Sequence, residues 1–114
     1  MLLRPRDKVL IVHRRLFEKD STRFFLGEVD EYENGLAKVS GFTFSQDLMT
    51  GHVHRKDDPR TKIIPIGSGT VLVYLLAADL QMDKLQFTHV GSELILADDN
   101  GFRMDLTERT SAPH

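Results

Sequence analysis

The stretch that most constrains this chain is residues 23–44, where two β-favouring runs flank a short turn at Asn34-Gly35. Both runs are rich in aromatic and aliphatic residues, which favour strands. Asn and Gly tolerate the positive φ angles that tight hairpin turns require, and an Asn-Gly pair between such runs is a strong local hairpin signal. We therefore expect an antiparallel hairpin to organise the fold.

Two loop lengths compete for the register of this hairpin. A two-residue loop of Asn34-Gly35 would set Val29 opposite Ser40. A three-residue loop that starts at Glu33 sets Val29 opposite Val39 instead. We favour the longer loop, because it pairs apolar residues with each other and pairs opposite charges. The cross-strand pairs that it predicts are Tyr32–Leu36, Asp30–Lys38, Val29–Val39, Leu26–Phe42 and Phe24–Phe44.

The favoured register also sets Gly27 opposite Gly41. Glycine inside a strand marks a bend, a bulge or a close approach of two backbones. Two glycines at one level predict a ribbon bent strongly enough to curl into a small barrel. The bent hairpin resembles small barrels of the SH3 and Sm types, a likeness of fold that implies no particular function.

The rest of the chain favours further short strands and little helix. At most one short helix is expected, near residues 79–85. Pro65 lacks an N–H, so its strand should lie at a sheet edge or end there. The total of about six to eight strands predicts an all-β fold, a small strongly bent barrel or a sandwich. Besides the two strands of the hairpin, strands are predicted within residues 8–17, 70–76, 93–98 and 102–106, and shorter candidate strands within 51–55, 61–66 and 86–90.

Three predicted strands carry expectations about burial. Residues 8–12 are apolar on both faces, so this strand should be covered on both sides. Residues 70–76 form a continuous apolar run, which predicts that Leu72 and Val73 both lie in the core. The last hairpin should pair Leu96 with Met104 and should leave the face that carries Ile95 solvated.

Length and composition predict a single domain spanning residues 1–114, with an N-terminal arm at 1–7 and a loose tail at 107–114. The chain contains no cysteine, which favours a reducing compartment. The first residues lack the apolar run of a signal peptide, and the longest apolar run is far shorter than a membrane span. We expect a cytoplasmic protein of bacterial type.

The candidates for chemistry are weak. His52 and His54 lie two residues apart and share one side of a strand, where Asp47, Asp57 or Asp58 could complete a metal site. Two histidines are too few for a zinc site, and we interpret them as surface residues. His13 is interpreted as a partly buried structural residue. No pattern typical of a nucleophile or a phosphate-binding loop occurs, so we predict no catalytic residues, no cofactor and no metal.

Basic residues form the only clusters that suggest a partner. Residues 51–62 hold four basic residues against two aspartates, a formal balance of +2, whereas the first hairpin is acidic and the whole chain carries −2. Such segregation can steer association with an acidic partner or between copies. The candidate partner-binding residues are Arg14, Arg15, Arg55, Lys56, Arg60 and Lys62.

Our leading hypothesis is a non-catalytic small β-barrel that serves as an interaction or structural module. Its partner would be another protein, or a second copy bound through an exposed strand edge. The alternative is a small barrel that binds RNA or single-stranded nucleic acid, with the aromatic residues of the hairpin as stacking surfaces. A metal-dependent enzyme comes last, and no membrane association is expected.

Overall fold

The computed structural model describes residues 3–13, 22–47 and 49–106. In this part of the chain the protein is nearly all-β, with nine strands and one short 3₁₀ helix. The predicted fold class is therefore confirmed. The strands are β1 Lys8–His13, β2 Arg23–Glu33, β3 Leu36–Gln46, β4 Val53–Arg55, β5 Arg60–Pro65, β6 Val71–Leu76, β7 Gln86–Val90, β8 Glu93–Ala97 and β9 Arg103–Asp105.

The strands form two antiparallel sheets, and the chain divides into two compact units, Met1–Leu80 and Gln81–His114. The sheet of the first unit has six strands in the order β4-β3-β2-β1-β6, and β5 also pairs with β3. The long β3 thus shares one edge between two partners, with residues 36–41 on β5 and residues 44–46 on β4. Barrel closure and the single-domain organisation stay predictions.

The central hairpin has the predicted register over most of its length, but its turn differs from the one we favoured. Phe24–Phe44, Leu26–Phe42 and Val29–Val39 pair as expected. Between Val29 and Glu31 the register shifts by one residue, so that Glu31 pairs with Lys38. The predicted pairs Asp30–Lys38 and Tyr32–Leu36 are therefore wrong.

The cause is a β-bulge at Asp30 combined with a two-residue turn. Asn34 and Gly35 have φ angles of 49° and 81°, as expected of a two-residue turn with both central residues at positive φ. The extra residue of the bulge offsets the shorter loop, which is why the pairs beyond Val29 match the three-residue prediction. Gly27 and Gly41 face each other as predicted.

The core of the first unit lies on one face of the sheet. Leu3, in the stretch predicted to be an arm, is buried in it, and the neighbouring backbone is fixed to β2. Arg6 N–H donates to the Val29 carbonyl at 2.7 Å, and Val29 N–H donates to the Asp7 carbonyl at 2.8 Å. The buried cluster consists of Leu3, Val9, Ile11, Phe25, Val29, Ala37, Val39, Ile64 and Val71.

Burial confirms one strand prediction and overturns another. Leu10 and Val12 on the opposite face of β1 are buried as well, so β1 is covered on both faces as predicted. On β6, Val73 packs against the core, but Leu72 is 48% exposed and Leu75 is 60% exposed. The prediction that Leu72 is core is wrong, because β6 lies at the end of the sheet order and only part of it is covered.

Strand β5 has the position predicted from Pro65, which was expected to end its strand or to lie at a sheet edge. It ends at Pro65 and, within the described residues, pairs only with β3. The 3₁₀ helix Met82–Lys84 lies inside the range predicted for a short helix, and Gln81 is its N-cap. None of the helical structure in the described ranges is long and apolar enough to span a membrane.

The second unit is a meander of β7, β8 and β9. Leu96 pairs with Met104 as predicted, and β7 lies on the other side of β8. Ile95, on the face predicted to be solvated, is only 2% exposed. That prediction is wrong: the central strand of this sheet is buried at three consecutive residues, Leu94, Ile95 and Leu96.

Candidate anion-binding site

The face of the sheet that carries the core becomes basic at one end. Side chains alternate between the two faces of a strand, so His13 shares the face of Ile11 on β1. On β2, Arg23 shares the face of Phe25 for the same reason. His13 lies directly opposite Arg23, one pair beyond Ile11 and Phe25 in the register. The apolar core is thus followed along both strands by a polar, basic pair.

Strand β5 brings two further cations to the same face. Lys62 lies opposite Val39 of β3, and Arg60 lies opposite Gly41. Both share the face of the buried Ile64, because residues two apart on a strand point to the same side. The Lys62 ammonium lies 4.7 Å from the centroid of the Phe25 ring, a cation–π contact that places it over a core residue two positions from Arg23 on β2.

A cleft lies next to these cations, where β3 changes its partner from β5 to β4. Lys56 N–H donates to the Thr43 carbonyl at 2.8 Å, so the loop between β4 and β5 is held against β3 at this point. The cleft has a volume of about 410 Å³. Its lining residues are Thr43, Arg55, Lys56, Asp57, Asp58 and Arg60.

Burial and neighbouring positive charges lower the pKa values of two residues in this region, Lys62 and His13. Burial lowers the pKa of the Lys62 ammonium, and the positive charges of Arg23, Arg60 and Lys56 lower it further. Burial likewise lowers the pKa of His13 below its ordinary value, and Lys62 and then Arg23 add to the effect. We call the five residues that this coupling connects, His13, Arg23, Lys56, Arg60 and Lys62, the basic cluster.

Few ion pairs neutralise the basic cluster among the described residues. Within the described residues its one ion pair joins Arg60 to Asp58 at 3.9 Å, and both side chains are largely exposed. Exposed pairs of this kind contribute little, typically about 0–1 kcal/mol. The His13 Nε2 is buried and has no hydrogen-bond partner in this part of the chain. The arrangement therefore presents a positive field and an unused polar atom to a ligand.

The aromatic residues near the cluster are covered. Phe25 is fully buried beneath Lys62. The Arg55 guanidinium carbon lies 4.7 Å from the centroid of the Phe42 ring, and Phe42 is only partly exposed. These rings therefore offer little open face on which a nucleic-acid base could stack.

Of the predicted site residues, the structure brings Arg55, Lys56 and Arg60 together around the cleft and places Lys62 beside them. Arg14 and Arg15 lie outside the described residues. Arg23 and Thr43 were not among the sequence candidates, and His13 was interpreted as a structural residue. The alternation of β1 already placed His13 on the face of Val9 and Ile11, but only the long-range pairing of β3 with β5 shows that this face meets Lys62.

Among the described residues, no third metal-ligating side chain joins the histidine pair. The rings of His52 and His54 are stacked with centroids 6.4 Å apart. The carboxylate of Asp47 instead accepts hydrogen bonds from the N–H groups of Met49 and Thr50, at 2.7 and 3.2 Å, and these bonds lower its pKa. No group of three or more metal-ligating side chains occurs within the described ranges.

Comparison of the chain with protein-family models, with curated proteins and with solved structures found no match. A function for this chain must therefore be argued from its own geometry. The features that bear on it are the basic cluster, the adjoining cleft and the outer edge of β6.

Proposed function

We propose that the protein is a non-catalytic interaction module that binds an acidic segment of a partner protein at the basic cluster and its cleft. The observation that carries the proposal is the grouping of basic side chains on one face of the six-stranded sheet. Three strands and one loop contribute these side chains, and in the described residues only Asp58 pairs with any of them.

A protein partner fits the cleft better than a nucleic acid does. Asp57 and Asp58 line the cleft beside Arg55, Lys56 and Arg60. A phosphate backbone is uniformly negative and is repelled by the two carboxylates. A peptide can place acidic side chains on the cations and a neutral or basic residue near the aspartates. The covered rings of Phe25 and Phe42 also argue against base stacking, on which single-strand binders depend.

The acidic residues elsewhere on the sheet would help to orient an approaching partner. The exposed side chains of Glu28, Glu31 and Glu33 give the central hairpin the opposite sign. The protein therefore has a strong separation of charge although its net charge is only −2. Complementary fields of this kind raise association rates and make them sensitive to salt.

The test is binding of a fluorescent glutamate-rich peptide and of an oligothymidine of equal charge, at about 0.05 M and 0.15 M salt, where screening lengths differ. The double variant Lys56→Gln/Arg60→Gln should raise the peptide Kd about tenfold, roughly 1.4 kcal/mol. The control Lys84→Gln/Arg103→Gln removes the same charges from the second unit and should change the Kd by less than about twofold. Both residues of the control pair are exposed.

Melting temperatures of all variants should stay near that of the wild type, since exposed charges contribute little to stability. Equal losses in both double variants would show that only net charge matters, which contradicts a site in the cleft. Tighter binding of the oligothymidine, lost in the cleft variant, would put nucleic acid in place of the peptide.

A second candidate is self-association through the outer edge of β6. Residues 71–76 carry no charged side chain, and Leu72 and Leu75 are 48% and 60% exposed. Uncharged apolar edges of this kind pair readily with further strands. Sedimentation equilibrium should show a dimer that Leu75→Lys dissociates. The control Leu36→Lys, at a leucine that is 47% exposed on another strand, should leave the dimer intact. A wild-type protein that is monomeric at every concentration would rule this candidate out.

A further inference from the structure

The inner end of the basic cluster contains a buried polar atom that the fold leaves unused. The His13 Nε2 has no hydrogen-bond partner among the described residues. Buried polar atoms in native proteins almost always have a partner in the protein, in ordered water or in a ligand. An orphaned nitrogen at the edge of a charged cluster therefore points to a group that is bound there.

The groups that surround His13 define the charge of that ligand. Across β1, Arg23 of β2 lies opposite His13 on one side, and Val71 of β6 lies opposite on the other and carries no charge. The Lys62 ammonium of β5 lies 4.7 Å from the centroid of the Phe25 ring, and Phe25 pairs with Ile11, two residues before the His13–Arg23 pair. Burial lowers the pKa of His13, and the charges of Lys62 and then Arg23 lower it further. Both charged neighbours are cations, and within the described ranges neither forms an ion pair with a carboxylate.

Three donors with two fixed positive charges match a phosphoryl group. Such a group carries between about −1.5 and −2 charges near neutral pH and has three strong acceptor oxygens. A carboxylate carries a single negative charge, so it would leave one of the two fixed positive charges uncompensated. Arginine and lysine are both frequent phosphate ligands, and a neutral imidazole can donate from Nε2 when its proton lies there.

We propose that His13, Arg23 and Lys62 form a subsite for one phosphoryl group, carried by a phosphorylated side chain of the acidic segment that binds the cleft. This subsite rests on the proposed function, because the cleft supplies the rest of the binding surface. The phosphoryl oxygens accept hydrogen bonds from Nε2, from the guanidinium and from the ammonium. No bond is made or broken in the partner.

The first experiment titrates the imidazole proton signals of the intact protein by NMR, in sodium chloride and in sodium sulfate at equal ionic strength. Sulfate is a tetrahedral dianion that does not titrate in this range. Without it, His13 should titrate below 6.5, its ordinary value, because burial and two cations disfavour the imidazolium. Sulfate should raise the pKa of His13 by at least about half a unit, since an adjacent anion favours the charged form. His89, on β7 of the second unit, serves as the internal control.

The second experiment compares a glutamate-rich peptide with the same peptide carrying one phosphoserine. The phosphopeptide should bind the wild type at least about tenfold more tightly. His13→Gln and Lys62→Gln should reduce this preference to about twofold or less. Lys38→Gln, which removes an exposed lysine on β3 opposite Glu31, should keep the full preference. Unchanged melting temperatures show that the variants are folded.

The outcomes separate the subsite from the function on which it rests. If both peptides bind equally well and depend on Lys56 and Arg60, the proposed function stands and the phosphoryl subsite is wrong. If sulfate shifts His13 no more than His89, the subsite is likewise wrong. If neither peptide binds, the proposed function fails, and the subsite on a partner segment fails with it.

Discussion

Replacing Gly41 with valine should lower the free energy of unfolding by at least about 3 kcal/mol or prevent folding altogether, at the upper end of overpacking costs. A Cβ atom at Gly41 would lie 2.6 Å from the Cα of Gly27 and closer still to the carbonyl oxygen of Leu26. These are backbone atoms of a paired strand, so no side-chain rotation relieves the clash. Gly27→Val should act in the same direction, because its Cβ would lie 2.9 Å from the carbonyl carbon of Ser40.

The matched control is Gly67→Ala. Gly67 has no heavy atom within 4 Å of an added Cβ, and its φ lies outside the left-handed region. Alanine there should be neutral or should stabilise the protein slightly by restricting the unfolded chain. Chemical denaturation of the purified variants gives the comparison. A Gly41→Val protein as stable as Gly67→Ala would contradict the close crossing of β2 and β3.

Replacing Phe25 with alanine should lower the free energy of unfolding by about 3–5 kcal/mol. The ring is 0% exposed and belongs to the core cluster of the six-stranded sheet. Its removal leaves a large cavity and takes away the surface on which the Lys62 ammonium lies. We therefore also expect Phe25→Ala to weaken peptide binding under conditions in which the variant is still folded.

Leu72→Ala provides the contrast for the Phe25 variant. Leucine 72 is 48% exposed, so its truncation should cost less than about 1 kcal/mol. Urea unfolding of the two variants, followed by circular dichroism, measures the difference. A loss at Leu72 as large as that at Phe25 would mean that β6 is covered on both faces, as its sequence suggests.

Local patterns in the sequence predicted most of the strands. The Asn34-Gly35 turn, the facing glycines and the edge position of β5 each follow from a residue whose backbone preferences are strong. The bulge at Asp30 could not be predicted, because a bulge plus a short loop and a regular strand plus a longer loop give the same pairs from Val29 outward. Only the pairs near the turn distinguish them.

Burial was harder to predict than strand position. The apolar runs on β1 and β6 look alike in sequence, yet Leu10 is buried and Leu72 is half exposed. The difference is the number of neighbouring strands, since β1 lies between β2 and β6 whereas β6 lies at the end of the order. Sheet order depends on contacts between distant residues, which a local pattern does not encode.

Some residues of the candidate site could be predicted from the sequence and others could not. Arg55, Lys56 and Arg60 are close in sequence, and their clustering could be predicted from the loop that carries them. His13 and Arg23 join them through three separate pairings, β1 with β2, β2 with β3 and β3 with β5. No composition or spacing rule links residues 13, 23 and 62. That these three residues share one face follows only from the register of β1, β2, β3 and β5.

The central claim is that these distant residues form one binding surface. Backbone amide chemical shifts, recorded while the glutamate-rich peptide is added to the intact protein, test it most directly. We predict that Thr43, Lys56, Arg60 and Lys62 shift together with His13 and Arg23, at a common Kd, while β7, β8 and β9 are unaffected. Shifts confined to residues 55–62 with none at His13 and Arg23, or shifts that map to β6 or to the second unit, would contradict it.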